Sequence, residues 1–370
     1  MKRTFFTLML LGLGLGAAAQ ELQTLREYLE AGLERNYDIR IIRNEERISD
    51  NNATAANAGK LPTIDLSAGY TGRLDNDRTT PRGGDPVTEN GIYNQTFDVG
   101  LAVNWTLFDG FRIRAEYAKL EELKAKGALQ TRLTIEDFIA SFTAEYYNFV
   151  QQKLRLGNYL YAMALSRERL RIAEEWYRVG SSARLDVLQA RVDFNADSSQ
   201  YMSQQEAVTA SRIRLNELLA NEELDRKLHV RDSLIAIDAD LEWERLMAQT
   251  RETNASLLLA DRDNTISELE LESIRSRNYP YLKLQAGYGY THNRYGGGAN
   301  RSNGTLGLNA GVQVGFTIFD GNRRREQRNA RIGIENARLT RMQLEQSLMA
   351  DLATFWQAYR NNLEVIRLEE

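Results

Sequence analysis

The sequence predicts an α+β fold, mainly long α-helices with four β-strands per chain, built as a duplication. Three observations predict it. Leu61-Pro62-Thr-Ile-Asp-Leu-Ser-Ala-Gly-Tyr70 returns as Tyr279-Pro280-Tyr-Leu-Lys-Leu-Gln-Ala-Gly-Tyr288, and Trp105-Thr-Leu-Phe-Asp-Gly110 returns as Phe316-Thr-Ile-Phe-Asp-Gly321. In each copy the apolar spacing switches from the helical three-and-four to the strand's two, twice over, with a polar loop between. No proline lies between Val87 and Tyr279, and glycine is absent from Ser182 to Ala286, so helices there can run long.

The first residues have a secretory plan: Lys2 and Arg3, an apolar run from Phe5 to Leu15, then Ala17-Ala18-Ala19 before Gln20. Residues 1–19 are expected to be a signal peptide cleaved after Ala19. The competing reading, an uncleaved anchor, meets a run shorter than the ~20 residues a spanning helix needs. Gln20 offers no thiol for lipid attachment.

Residues 20–220 are expected to form the first structural repeat. Leu25, Leu29, Leu33, Ile39 and Ile42 mark a helix over about Leu22 to Gly59. A β-hairpin follows over 61–108. Ile64, Leu66, Ala68 and Tyr70 alternate with Thr63, Asp65, Ser67 and Gly69, and a polar loop covers Asp75 to Asn94. The second strand, Thr96 to Phe108, puts Phe97, Val99, Leu101, Val103, Trp105 and Leu107 on one face. After Asp109-Gly110 helix resumes, with a seam of Ile135, Ile139, Phe142, Tyr146 and Phe149 suited to packing along a partner helix. Arg178-Val-Gly-Ser-Ser182 breaks that helix, and a second one returns over Ala183 to Leu219, a helical hairpin with its tip near 180. Residues 221–240 connect, with a short strand expected at Leu228 to Val230. The second repeat, 241–370, runs helix (Leu241 to Arg277), β-hairpin (281–319) and helix. The chain continues less far past Gly321 than separates Gly110 from Gly180, so the second repeat is expected to be incomplete at its C-terminus.

Composition narrows the chemistry. There is no cysteine and there are only two histidines, His229 and His292, so thiolate metal sites and Ser-His-Asp catalysis are poorly supplied. No phosphate-binding glycine loop precedes a helix. The formal net charge is −4 and the basic residues are spread along helices, which gives nucleic acid no footprint. No catalytic residue, metal or cofactor is expected.

Past the first residues no apolar run reaches spanning length, so a membrane position requires a barrel. Four strands cannot close one, since the smallest membrane barrels have about eight and an open edge leaves backbone groups unpaired. Two copies would give eight strands and a filled interior, three would give twelve and room for water. The Thr, Ser, Asp, Lys, Gln and Asn residues of the second face favour the wet lumen. An ordinary soluble sheet packed on the helices is the competing reading. A helix of roughly 70 residues reaches roughly 100 Å, so helices continuing the strands would lengthen the barrel into a duct.

With these residues placed, the chain resembles the TolC family of outer-membrane efflux proteins. The resemblance rests on the helix ending at Pro62, the duplicated Phe-Asp-Gly junction, and Tyr177-Arg-Val-Gly-Ser-Ser-Ala-Arg-Leu-Asp-Val-Leu-Gln-Ala-Arg191, similar to the family's helical-hairpin tip. It covers essentially the mature chain. It implies a homotrimer with a twelve-stranded outer-membrane barrel and an α-helical coiled-coil tunnel through the periplasm, in contact with outer-membrane lipid. It also implies docking to a periplasmic adaptor (membrane fusion) protein and an inner-membrane RND or ABC-type transporter, as a passive duct for efflux or type I secretion. By carry-over, Arg178, Val179, Gly180, Ser181, Ser182, Ala183 and Leu185 would contact the adaptor. Asp186 would match the acidic position that ties neighbouring coils shut; as a first-turn carboxylate it also suits the helix dipole. Pro62, Phe108, Asp109 and Gly110, with Pro280, Phe319, Asp320 and Gly321, mark the strand-helix junctions, the aspartates as turn or N-cap residues. The second tip and the rest of the gate would lie beyond Glu370. The alternative function is a structural coiled-coil envelope protein or adhesin with a β-barrel foot.

Overall fold

The computed structural model describes residues 24–231, 241–297 and 300–369. The expected signal peptide, and the connecting segment beyond residue 231 through 240, lie outside the described residues. Contacts divide the chain into two units: residues 1–41 with 134–238, and residues 42–133 with 239–370.

The first unit is helical. It holds α1 (Leu25–Arg35), the start of α2 (Tyr37–Asn52), the later part of α3 (Arg112–Arg178) and α4 (Arg184–Leu218). Its core is Tyr28, Ile39, Phe138, Phe142, Tyr146, Phe149, Val150, Leu215, Leu219 and Leu228. The α3 seam thus runs through Phe138, and the expected Ile139 is exposed. Steps of four from Phe138 to Phe142 to Tyr146 keep three rings on one line, with centroids 5.7 and 6.5 Å apart. Beside the seam, Ser211 and Asn148 donate to Glu145, and Gln204 donates to Gln152, so α3 and α4 also share a polar ladder. Asn216 is fully buried and ties down the turn after α4 by donating to the Leu224 and Arg226 carbonyls, both at 2.9 Å. Of the strand expected at Leu228 to Val230, a single bridge residue at Val230 is present.

The second unit holds β1 (Thr63–Thr79), β2 (Val87–Phe108), β3 (Tyr281–Arg294) and β4 (Ser302–Gly315) in one antiparallel sheet of order β1-β2-β3-β4. β1 and β4 are its edges. It also holds the rest of α2 and α3, α5 (Trp243–Thr253), α6 (Ala255–Arg275) and α7 (Gly321–Glu369). Ion pairs order these helices as the strands are ordered: Lys124 with Asp50 joins α3 to α2, Lys119 with Glu270 joins α3 to α6, and Arg341 with Asp261 joins α7 to α6. Exposed pairs of this kind contribute roughly 0–1 kcal/mol each, so they favour this neighbour order more than they add stability. None of the described helices is long and apolar enough to cross a membrane.

Several boundaries differ from the sequence expectation, among them the end of the first helical stretch, which stops at Asn52 rather than Gly59. The helices expected over 22–59 and 241–277 are each broken at an asparagine. Asn36 accepts from the Ile39 N–H at 3.2 Å, and Asn254 from the Ser256 and Leu257 N–H groups at 3.0 and 3.2 Å, so each side chain starts a new helix. Asn36 precedes Pro62 by the same spacing as Asn254 precedes Pro280, so the break belongs to the duplication. β1 and β2 extend through the segment expected as loop, pairing Arg73 with Asn94 and Thr79 with Val87 across a bulge at Asp75/Asp77. β4 stops at Gly315, which pairs with Tyr281. Beyond Tyr281 the partner strand reaches Pro280, which has no N–H to donate.

Candidate functional site

The hairpin tip is built by a glycine. α3 ends at Arg178, the Gly180 N–H donates to the Tyr177 carbonyl at 3.0 Å and the Ser181 N–H to the Trp176 carbonyl at 2.9 Å, with Gly180 at φ +79°. This pair of bonds is a Schellman motif, which closes a helix by a left-handed residue. Ser181 Oγ also donates to the Trp176 carbonyl (3.0 Å). α4 starts one residue after Ala183. The Asp186 carboxylate accepts from the Ala183 N–H at 3.0 Å, so within the chain it occupies the third helical position and satisfies an orphan donor. Farther up the hairpin, Arg191 pairs with Glu174 across the two helices at 2.7 Å, and hydrogen bonds from Arg171 hold the Glu168 carboxyl below its ordinary range.

The tip presents apolar groups to solvent. Val179 and Leu185 are 72% and 73% exposed, and Trp176 is 59% exposed beside a cleft of about 450 Å³ lined by Ile172, Ala173, Ser181, Ser182 and Asp186. Arg178, Val179, Gly180, Ser181, Ser182, Ala183, Leu185 and Asp186 therefore form one continuous cap. Trp176 lies outside the stretch expected to form the tip, and Arg191, within that stretch, has no expected contact role there. A tryptophan two residues before a helix-closing break is the signal that could have singled it out.

Both strand-helix junctions converge on one turn. Ser276–Asn278 is a short 3₁₀ turn between α6 and Pro280. Gly110, at φ +71°, lies against it: a Cβ there would sit 2.1 Å from the Ser276 carbonyl oxygen. Asp109 Oδ1 accepts from the Ile113 N–H at 3.1 Å, and Phe111, also at positive φ (73°), stacks edge-on with Phe108 and Tyr279. From the other side, Arg323 donates to the Arg277 carbonyl (2.6 Å) and to the Thr317 carbonyl (3.2 Å), and Asp320 Oδ1 accepts from the Asn322 N–H at 3.0 Å. Pro62 leads into β1, and just before it the Lys60 carbonyl accepts from Trp105 Nε1 of β2 at 2.9 Å.

Between these junctions and the loops, cross-strand register assembles two unlike faces. Leu66 pairs with Leu101, Leu101 with Tyr288 and Tyr288 with Leu308, while Ile64, Val103, Ala286 and Ala310 form the next apolar row. Leu66 and Leu308 are 74% and 77% exposed. The opposite face carries rows such as Thr63, Asn104, Gln285 and Gly311, and Asp98, Thr291 and Thr305. An apolar face of this extent left open to water by a single chain marks a membrane or partner surface.

The profile of the family described as outer membrane efflux protein matches residues 17–221, more than half of the chain. The chain belongs to that family. Its fold is that of solved outer-membrane channels and outer membrane proteins at low identity. The outer-membrane channel OprN is 20% identical with a TM-score of 0.72, aligned over 93% of this chain and 76% of that one. The outer membrane channel CmeC of Campylobacter jejuni is 15% identical with a TM-score of 0.72, over 87% and 68%. The outer membrane protein VceC of Vibrio cholerae is 15% identical with a TM-score of 0.70, over 93% and 81%. No curated protein matches the sequence at a significant level.

Proposed function

We propose that the chain is one subunit of a homotrimeric outer-membrane channel, a passive duct without chemistry of its own, serving a tripartite efflux or type I secretion system. The observation that carries this reading is the single apolar face that register builds across all four strands, bounded by the unpaired edges β1 and β4. In hydrocarbon those edges must pair, and three copies supply twelve strands around a lumen lined by Asp98, Asn104, Gln285 and Thr291. In this reading residues 1–19 are a cleaved signal peptide, 20–220 and 241–370 are two structural repeats joined by 221–240, and the helices stand in the periplasm.

The tip from Arg178 to Leu185 is then the surface offered to a periplasmic adaptor, itself bound to an RND or ABC-type pump. The exposed Val179 and Leu185 and the small Ser181 and Ser182 support that role, because they let a partner helix approach closely. In this reading Asp186, which within the chain accepts from the Ala183 N–H, bridges to a neighbouring subunit when the tunnel is shut. The test is reconstitution in planar bilayers. The expected result is a trimer by native mass spectrometry with stepwise ion conductance; a protein that inserts yet stays monomeric and silent would sink the proposal.

A further inference from the structure

The end of β4 leads into an unusual surface. The even-numbered apolar positions of β4, Val312 and Val314, continue past the last paired residue as Phe316 and Ile318. Phe316 is 52% exposed, and Ile318 and Phe319 are each 86% exposed. Directly after them α7 opens with Arg323-Arg-Arg-Glu-Gln-Arg328 and continues to Arg331. Arg323 is committed to the Arg277 and Thr317 carbonyls, and Arg325 lies 3.9 Å from Glu326. Arg324, Arg328 and Arg331 are exposed and, among the described residues, take part in no hydrogen bond or ion pair.

Their spacing is i, i+4, i+7, so the three guanidinium groups share one face of the helix. That placement is unfavourable for the chain alone. Like charges four residues apart repel, and cations in the opening turns oppose the helix dipole; the Asp320 cap supplies one carboxylate at that end but does not pair with any of the three arginines. An external anion is what such a stripe lacks. At ~1.5 Å per residue Arg324 to Arg331 spans roughly 10 Å along the helix, enough to cross the ~5–8 Å headgroup layer on one side of the hydrocarbon core. An apolar and aromatic band followed by free arginines is the arrangement of a chain leaving hydrocarbon for the interface. The first junction differs: Arg112 is paired with Asp109 at 3.1 Å, and Phe111, though 54% exposed, is stacked on Phe108 and Tyr279.

We infer that Arg324, Arg328 and Arg331 bind the phosphate groups of anionic phospholipid in the leaflet facing the helices, with Phe316, Ile318 and Phe319 against its acyl chains. This rests on the membrane reading given above. The occupant is a lipid because the charges continue directly from the apolar strand face, which a soluble anion would not use.

The test uses the full chain in nanodiscs of phosphatidylcholine with and without phosphatidylglycerol, comparing wild type, the R324Q/R328Q/R331Q variant and the triple lysine variant. Native mass spectrometry of the released protein should show phosphatidylglycerol retained by wild type. Each basic residue at an anionic surface favours binding about fivefold, so the glutamine variant should lose retention by at least about fivefold and the lysine variant should keep most of it. Equal retention in all three overturns the assignment. So does competition by millimolar glycerophosphate, which would make this a soluble-anion site, or loss of trimers by the glutamine variant in phosphatidylcholine alone, which would make it a contact between copies. Failure of wild type to enter any disc overturns the channel reading and this inference together, whereas entry without lipid preference overturns this inference alone.

Discussion

The two Phe-Asp-Gly junctions carry the same three residues and ask different things of them. At the first, Gly110 has φ +71° and sits where a Cβ would lie 2.1 Å from the Ser276 oxygen and 2.9 Å from Tyr279 Cβ. At the second, Gly321 is the first residue of α7, its φ is unremarkable, and a Cβ would meet only the Phe319 ring at 3.8 Å, an ordinary contact. The first junction is bridged by ring contacts: Phe108, Phe111 and Tyr279 meet edge to face, although Phe111 and Tyr279 stay about half exposed. The second is held by Arg323 and Arg277 and leaves its apolar side chains bare. A repeated motif thus marks a repeated chain path, while the need for each residue is set by what lies opposite it.

The largest expected difference is between the two alanine substitutions. Gly110→Ala combines left-handed strain with a backbone clash and should cost about 3 kcal/mol or more. Gly321→Ala should be neutral or stabilise by about 0.5 kcal/mol, because glycine in a helix is conformationally expensive. Thermal unfolding of each variant in detergent, followed by helical circular dichroism, separates them. Comparable losses in both would mean that the contrast between the junctions is not real.

Gly180 sharpens the reading of Gly110. Both have positive φ, but a Cβ at Gly180 would meet no atom within 4 Å, whereas one at Gly110 would face a carbonyl. Gly180→Ala should therefore show the conformational cost alone, about 1 kcal/mol, and the remainder at Gly110 is the clash. The same unfolding measurement tests this, and a Gly180→Ala loss as large as that of Gly110→Ala would show that φ, not crowding, dominates at both sites.

Much of this was readable from residues alone, and the failures have physical causes. Alternation exposed the apolar parts of all four strands, because a sheet with one apolar and one polar face leaves a period of two. The extensions carry no such period: Asp75 to Thr79 is polar throughout, and in Val87 to Asn94 the apolar residues Val87, Ile92 and Tyr93 do not fall at successive alternate positions, so only their ladder pairing reveals them. The tip glycine was readable because Arg178-Val-Gly-Ser-Ser182 interrupts an otherwise unbroken helical pattern. The helix breaks at Asn36 and Asn254 were not, since apolar spacing continues through them and the asparagine carboxamide alone restarts the helix. Likewise Ile139 fits the α3 seam by spacing, yet Phe138 takes the buried place, a choice made by Tyr28, Leu215 and Leu219 on other elements.

The smallest expected effect concerns the two aspartates. Asp109 accepts from the Ile113 N–H and lies 3.1 Å from Arg112, so it caps α3 and holds a charge partner in the same turn. Asp320 accepts from the Asn322 N–H and lies 3.6 Å from Arg277, a more distant and more exposed pairing. Loss of a helix cap costs about 1 kcal/mol, and exposed ion pairs add about 0–1 kcal/mol. Asp109→Ala should thus cost about 1 kcal/mol and Asp320→Ala a few tenths to about 1 kcal/mol. Asparagine at either position should restore most of the loss, because it keeps the oxygen acceptor and removes only the charge. If asparagine fails at 109 but succeeds at 320, the Arg112 pairing rather than the cap sustains the first junction, and the two copies differ in electrostatics as well as in packing.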